Sequence, residues 1–357
     1  MEIRLNTGNA EIEIDNLLYL TDKEEITDVA KLKISNHIKY GDEEFNRIKS
    51  SIKQMVGNVL LLADRKYIAI ANRLLWECPN LIATQVTDSK DAYEIEKTVT
   101  KTDKLLWDVQ AEKAEEDVAL MSGWTNSYNN QKFSDKEIEE YIEDSRLKLL
   151  PYLGKDKDVL EVGVGSGMIA RRLLNMCKTY DGADISKNVL EKFTKYLEEN
   201  EVENVSLYNY GGDEIQKIGK QYDIIFMSSV TEYFSGYNYL LDVIKNCVDC
   251  VKEKGIIFFA DVFDLGRKED YRASVYDYAQ RHPGVIYKKN FSHELFIPRD
   301  FWEDASKLTD GIVNCVVTDK IGEIDNEINK FRYDVMIFVD KNRNDQVLNK
   351  YQFASEL

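Results

Sequence analysis

Residues 159–174 read Val159-Leu160-Glu161-Val162-Gly163-Val164-Gly165-Ser166-Gly167-Met168-Ile169-Ala170-Arg171-Arg172-Leu173-Leu174, an apolar strand passing through three alternate glycines into a helical pattern that continues to Cys177. Gly163, Gly165 and Gly167 let the backbone turn tightly and approach a ligand whose negative group meets the start of a helix. The spacing is G-x-G-x-G, not the G-x-G-x-x-G of dinucleotide-binding turns, and Glu161 stands two residues before the first glycine. A carboxylate there would repel a pyrophosphate and suits a ligand that carries positive charge near the turn.

The pattern repeats outward from this stretch. Val159–Val162, Tyr180–Ala183, Val205–Tyr210, Asp223–Met227 and Ile256–Ala260 are strand-like, with helical Lys187–Asn200 and Tyr239–Val251 among them. That series predicts an α/β fold with a doubly wound, mainly parallel sheet and right-handed crossovers. Cys315–Thr318 and Tyr333–Val339 read as two late strands forming an antiparallel pair at its edge. Ligands of such sheets bind at the carboxyl ends of the strands. Asp184 and Ile185 follow the second strand, Gly211-Gly212-Asp213 the third, and Ser228-Ser229 the fourth. Asp184 is placed to take both hydroxyls of a ribose and Asp213 to accept an adenine amino group; as helix N-caps, both would be structural only. A nucleoside with positive charge near the glycine turn describes S-adenosylmethionine, which bears an ammonium and a sulfonium.

At 357 residues the chain holds about two domains. Residues 1–100 mix short apolar runs with helical stretches (Glu44–Val56, Tyr67–Trp76), an N-terminal α/β domain whose chemistry is not legible. Residues 101–150 form a polar, helix-rich connector and cofactor lid carrying Trp107, Trp124, Tyr128 and Tyr141; residues 151–342 are the main domain and 343–357 a tail. The balance of 47 Lys plus Arg against 64 Asp plus Glu gives a net charge of −17, which disfavours nucleic acid and anionic membranes as partners. Five scattered cysteines suit reduced thiols, Cys247 and Cys250 lie in a helical pattern without a second pair at zinc spacing, and no secretory segment is visible, so a cytoplasmic protein without a metal site is expected.

The turn Glu161–Gly167 with Asp184 resembles class I S-adenosylmethionine-dependent methyltransferases. Ser228-Ser229-Val230-Thr231-Glu232-Tyr233-Phe234, Tyr239-Leu240-Leu241 and Gly255–Val262 are similar to the methyltransferase domains embedded in nonribosomal peptide synthetases. Gly123-Trp124-Thr125-Asn126-Ser127-Tyr128 resembles that family's first motif, and Asn326–Val335 its late Asn-Glu-Leu…Tyr-Arg-Tyr-Asp-Val motif. The likeness covers roughly 121–340. Where the family often has Gln before its Tyr-Phe, this chain has Glu232, and after Asp261 the usual Arg-Asn pair is replaced by Val262-Phe263.

The resemblance implies that Trp124 and Tyr128 close over the cofactor and that Ser229 and Tyr233 also border it. Methyl transfer is an in-line displacement, so the main task is holding a nucleophile aligned with the methyl group. An amine must lose a proton first, and Glu327, His293 and Glu232 are candidate bases, with Arg332 and Tyr333 shaping the acceptor pocket. The bland alternatives are a cap or an Arg332 partner for Glu327, a surface turn for His293 and a surface ion pair for Glu232. The expected activity is N-methylation of a small molecule or a carrier-protein-bound aminoacyl group in natural-product biosynthesis. Methylation of O, S or C, or a cofactor-binding scaffold without turnover, are the alternatives. Residues 252–299, with nine Lys plus Arg against seven Asp plus Glu, are the least acidic candidate face for a carrier.

Overall fold

The computed structural model describes residues 3–6, 11–21, 30–33, 41–63, 67–86, 107–108, 112, 117–234, 236–289, 291, 294–307 and 309–342. The chain divides into two units: residues 1–99 with 235–239 and 346–357, and residues 100–234 with 240–345.

In the first unit β1 (Ile3–Asn6) and β2 (Glu11–Ile14) pair antiparallel, and β3 (Asn16–Thr21), β4 (Ala30–Lys33), β5 (Val59–Ala63) and β6 (Leu81–Val86) form an all-parallel sheet in the order β4-β3-β5-β6. Helices α1 (Glu43–Lys53) and α2 (Ile68–Glu77) supply the crossovers. Asp42 starts α1, its carboxylate accepting from Phe45 N at 2.7 Å, and Phe45, Ile48 and Ile52 then fall on one helical face. That face packs with Val59, Leu61 and Ala63, while Leu60 and Leu62 face the opposite side with Leu17 and Ile82, so the uninterrupted apolar run of β5 is accounted for by burial on both faces.

The second unit begins its helices with α3 (Val118–Met121) and α4 (Asp135–Leu149), the latter opened by a capping box between Ser134 and Glu137. Its strands are β7 (Asp158–Val162), β8 (Thr179–Ala183), β9 (Val205–Tyr208), β10 (Tyr222–Ser228), β11 (Val251–Phe263), β12 (Ile312–Asp319) and β13 (Arg332–Asp340). The sheet order is β12-β13-β11-β10-β7-β8-β9, parallel from β11 to β9 and antiparallel where β13 meets β11 and β12. This is the doubly wound sheet that the sequence predicts, including its antiparallel edge. The other helices are α5 (Ala170–Leu173), α6 (Lys187–Glu199), α7 (Tyr237–Cys250), α8 (Lys268–Arg281), α9 (Phe301–Lys307) and α10 (Glu327–Phe331).

One expectation is corrected. The helix read from the glycine turn to Cys177 is a single α-turn followed by the 3-10 segment Leu174–Met176. Gly167 N donates to Val164 O at 2.9 Å, so the chain is still turning where a longer helix would have begun. Among the described residues, no helix is long and apolar enough to cross a membrane.

Candidate active site

The turn after β7 carries Gly163, Gly165 and Gly167 at φ +75°, +53° and +81°. A Cβ on Gly167 would lie 2.2 Å from the Phe193 ring, so at that position conformation and space both demand glycine. The carboxylate of Asp184, just past β8, folds back on this turn. Its Oδ2 accepts from Gly165 N at 2.9 Å and its Oδ1 from Ser186 N at 2.8 Å. Ser186, not Asp184, caps α6, with Oγ accepting from Val189 N at 3.3 Å. Each Asp184 oxygen thus accepts one N–H and keeps further acceptor capacity, a pair of acceptors that fits the two donating hydroxyls of a ribose. Burial pushes this carboxyl up to about 6.

Glu161 lies on β7 itself, buried, accepting a hydrogen bond from Tyr180 OH on β8. Burial, only partly offset by that bond, pushes it up to about 8. It is thus a buried partner of the neighbouring strand, two residues before the first glycine of the turn. Asn209 Nδ2 donates to the carbonyls of Asp184 and Ile185 at 2.9 Å each, fixing the loop after β8. Asp213 is half-buried in the turn before the 3-10 segment Ile215–Ile218, whose cap position is Glu214.

A cavity of about 380 Å³ has Trp124, Ser229, Glu232, Tyr233, Glu327 and Arg332 on its wall. Ser122, also on the wall, joins it to the glycine turn through a 3.1 Å bond between its Oγ and that of Ser166. The Trp124 ring lies 4.1 Å from that of Tyr141, and Tyr233 meets Trp107 edge-on at 4.9 Å. Glu327 opens α10, where Asn326 is the cap. Its Oε2 accepts from Ser127 N at 2.9 Å and its Oε1 from Tyr271 OH at 2.9 Å and Ser127 Oγ at 3.1 Å. Burial raises its pKa against the pull of Arg332. Glu232 is 2% exposed, so the surface-pair alternative does not hold; its Oε1 lies 3.5 Å from Arg332 Nη1, and burial pushes it up to about 8.

Two residues from the same motifs stand off the wall. Tyr128 bonds Ser274 Oγ at 3.0 Å and packs on Tyr278 at 5.4 Å. Tyr333 is fully buried, donating to Ile297 O at 2.9 Å and accepting from Trp302 Nε1 at 2.8 Å. Strand alternation explains the second: Arg332 and Asp334 share one face of β13, and Tyr333 takes the other. His293 lies outside the described residues.

Beneath the wall is an ion network that no motif announced. Arg332 Nη1 and Ser229 Oγ both donate to Asp261 Oδ2. Lys320, fully buried, reaches Asp144 at 2.5 Å, Asp334 at 3.1 Å and Asp261 at 3.8 Å, and Lys148 also bonds Asp334. Burial alone would raise Asp144, but Lys320, Asp334 and Lys148 outweigh it and hold that carboxyl at about 2. Asp261 itself sits at φ +64° where the β11–β13 register shifts, its N–H donating to Asp334 Oδ1 at 2.6 Å. Asp261 was within a quoted motif without a role; Asp144 and Lys320 stand 176 residues apart and carry no sequence signal.

Comparison with known proteins gives part of this sheet a relative. Residues 160–257 match the family model described as a methyltransferase domain. Chondramide synthase cmdD of Chondromyces crocatus is 28% identical over 235 residues, 61% of this chain and 6% of that protein. A probable non-canonical nonribosomal peptide synthetase, CymA of Salinispora arenicola, is 25% identical over 219 residues, 60% of this chain and 3% of that protein. The chain therefore spans only a few per cent of these relatives' lengths. Among solved structures, the plantazolicin methyltransferase BamL, crystallised with a triazolic desmethylPZN analog and SAH, is similar with a TM-score of 0.48 and 14% identity, covering 71% of this chain and all of that one. The family match runs from β7 to β11 of this sheet, so residues 160–257 carry a methyltransferase domain.

Proposed function

We propose that the chain transfers a methyl group to the amino nitrogen of a small molecule or of a carrier-bound aminoacyl group, in nonribosomal-peptide-type biosynthesis. The observation that carries this reading is the set of carboxyl groups on the cavity wall, Glu232, Glu294 and Glu327. A carboxyl-rich wall favours an acceptor that arrives as an ammonium and can pass on its proton. The relatives' names, a chondramide synthase and a nonribosomal peptide synthetase, support the biosynthetic setting.

S-adenosylmethionine supplies an electrophilic methyl group on a sulfonium. In this reading Asp184 takes the ribose hydroxyls, Asp213 the adenine amino group, and the backbone of the Gly163–Gly167 turn, with Ile185, lies against the nucleoside. Trp124, Ser229 and Tyr233 border the reacting end, and the buried rings of Trp124 and Tyr141 keep water from it. Glu327 ties the Ser127 loop down and so holds the acceptor side closed.

The test is mass gain. Purified protein is incubated with S-adenosylmethionine and, separately, with free L-amino acids and with their N-acetylcysteamine thioesters. Addition of one methyl group on nitrogen is the expected product; a methyl found only on oxygen, sulfur or carbon would refute the amine reading. The two acceptor sets separate a free from a carrier-bound substrate.

A further inference from the structure

Glu327 and Glu232 both stand on the cavity wall, yet their oxygens are not equally engaged. Glu327 accepts three hydrogen bonds, from Ser127 N, Ser127 Oγ and Tyr271 OH, so both of its oxygens are held. Glu232 offers Oε1 to Arg332, while its Oε2 is buried and has no hydrogen-bond partner. A buried acceptor left unsatisfied is costly, and a donor arriving in the cavity would relieve it. The sequence held both residues as candidate bases; the geometry separates them.

The charged and titratable groups around Glu232 come from every side. Arg332 on β13 faces it but is shared with Asp261 on β11; Lys288 and Glu294 pair with each other at 2.6 Å; Tyr233 is its chain neighbour and Glu327 shares the wall. Arg332 alone does not cancel both acids, and its own Nε also lacks a partner.

Resting on the amine reading above, we propose that Glu232, and not Glu327, is the catalytic base, its free Oε2 accepting the proton of the acceptor amine, with Arg332 as the positioning residue that fixes the other oxygen. The step balances: the nitrogen lone pair forms the bond to the methyl carbon, the carbon–sulfur bond breaks with its electron pair staying on sulfur, and the proton lost by nitrogen goes to Glu232. Burial pushes this carboxyl up to about 8, in the range where a base works near neutral pH.

The experiment uses the whole chain with the amino acid and thioester panel. Glu232→Gln is expected to lower kcat about 100- to 10,000-fold while calorimetric affinity for S-adenosylhomocysteine stays within twofold. In wild type, kcat rises with pH through an ionisation near 8, and this limb stays in place when the acceptor is exchanged for one with a less basic amine. A readout independent of turnover is infrared titration: the protonated-carboxyl absorption lost on raising pH, to which Glu161 also contributes, is smaller by one carboxyl in Glu232→Gln than in wild type. Should that variant fail to bind S-adenosylhomocysteine, Glu232→Asp decides, a lower kcat with the limb retained supporting the assignment and an unchanged kcat refuting it. If wild type methylates an amine and Glu232→Gln does so within threefold, the base assignment falls alone. If wild type methylates no amine, the amine reading falls and takes it along.

Discussion

The two halves of the proposed site, a cofactor half and an acceptor half, are built in opposite ways. The cofactor half, around Gly165, Asp184 and Ser186, is nearly contiguous in sequence and is held by backbone N–H groups reaching one carboxylate. The acceptor half gathers Ser127, Asp144, Glu232, Asp261, Lys320, Glu327 and Arg332 from across the second unit, and charged side chains hold it together. A site held by main chain tolerates side-chain change poorly at its glycines; a site held by ions fails when one ion is removed. The two halves should therefore break independently.

Lys320→Met should give the largest effect. It leaves Asp144, Asp334 and Asp261 buried without their shared cation, and losing one partner of a buried ion pair costs about 3–5 kcal/mol. Thermal melting should fall by several degrees or more, and protein that stays folded below that temperature should still bind S-adenosylmethionine. Asp184→Ala is the converse test: it should weaken calorimetric affinity for S-adenosylmethionine about 10- to 100-fold through unpaired ribose hydroxyls, and Gly165→Val should do so at least as severely, with the acceptor-side network intact. Equal loss of cofactor binding in the Lys320 variant would erase the distinction between the halves.

Ser127→Ala is a smaller probe, removing one hydroxyl from Glu327 while Ser127 N and Tyr271 keep theirs; about 1 kcal/mol of stability should go. Its mark should be a higher acceptor KM with cofactor affinity unmoved. Smallest of all is Glu161→Gln at low pH, expected to be nearly neutral below about 4.5, where the carboxyl is protonated in folded and unfolded states alike. The sign is definite: the folded state binds the Glu161 proton more tightly than the unfolded state, so this stabilisation is full below about 4.5 and is lost as pH rises through about 8. Melting scans across that window should show wild type losing stability relative to Glu161→Gln.

The same contrast governs what the sequence discloses. The glycine turn and Asp184 are legible because strand, turn and acid lie within 26 residues and follow one period each. The alternation of β13 was equally open to reading, and it would have kept Tyr333 out of the acceptor pocket. Glu327 and Arg332 were reachable by resemblance, but not the Ser127 loop that one grips or the Asp261 that the other pairs with. Lys320 and Asp144 were hidden because a buried ion pair between a strand end and a distant helix has no periodicity to betray it. Glu161 shows the reverse: its place before the glycine turn was legible, while its burial and its bond to Tyr180 were not, since both are properties of packing.

The left-handed backbone of Asp261 has a consequence for anyone redesigning this cavity. That conformation is open to aspartate, asparagine and glycine and hostile to branched or bulky side chains. Position 261 can therefore change its charge but hardly its shape: asparagine would keep the bulge while releasing Arg332, whereas valine would force the strand to choose another path. Charge and geometry come apart at this one residue, and it is a handle for shifting Arg332 on the cavity wall without rerouting the strand.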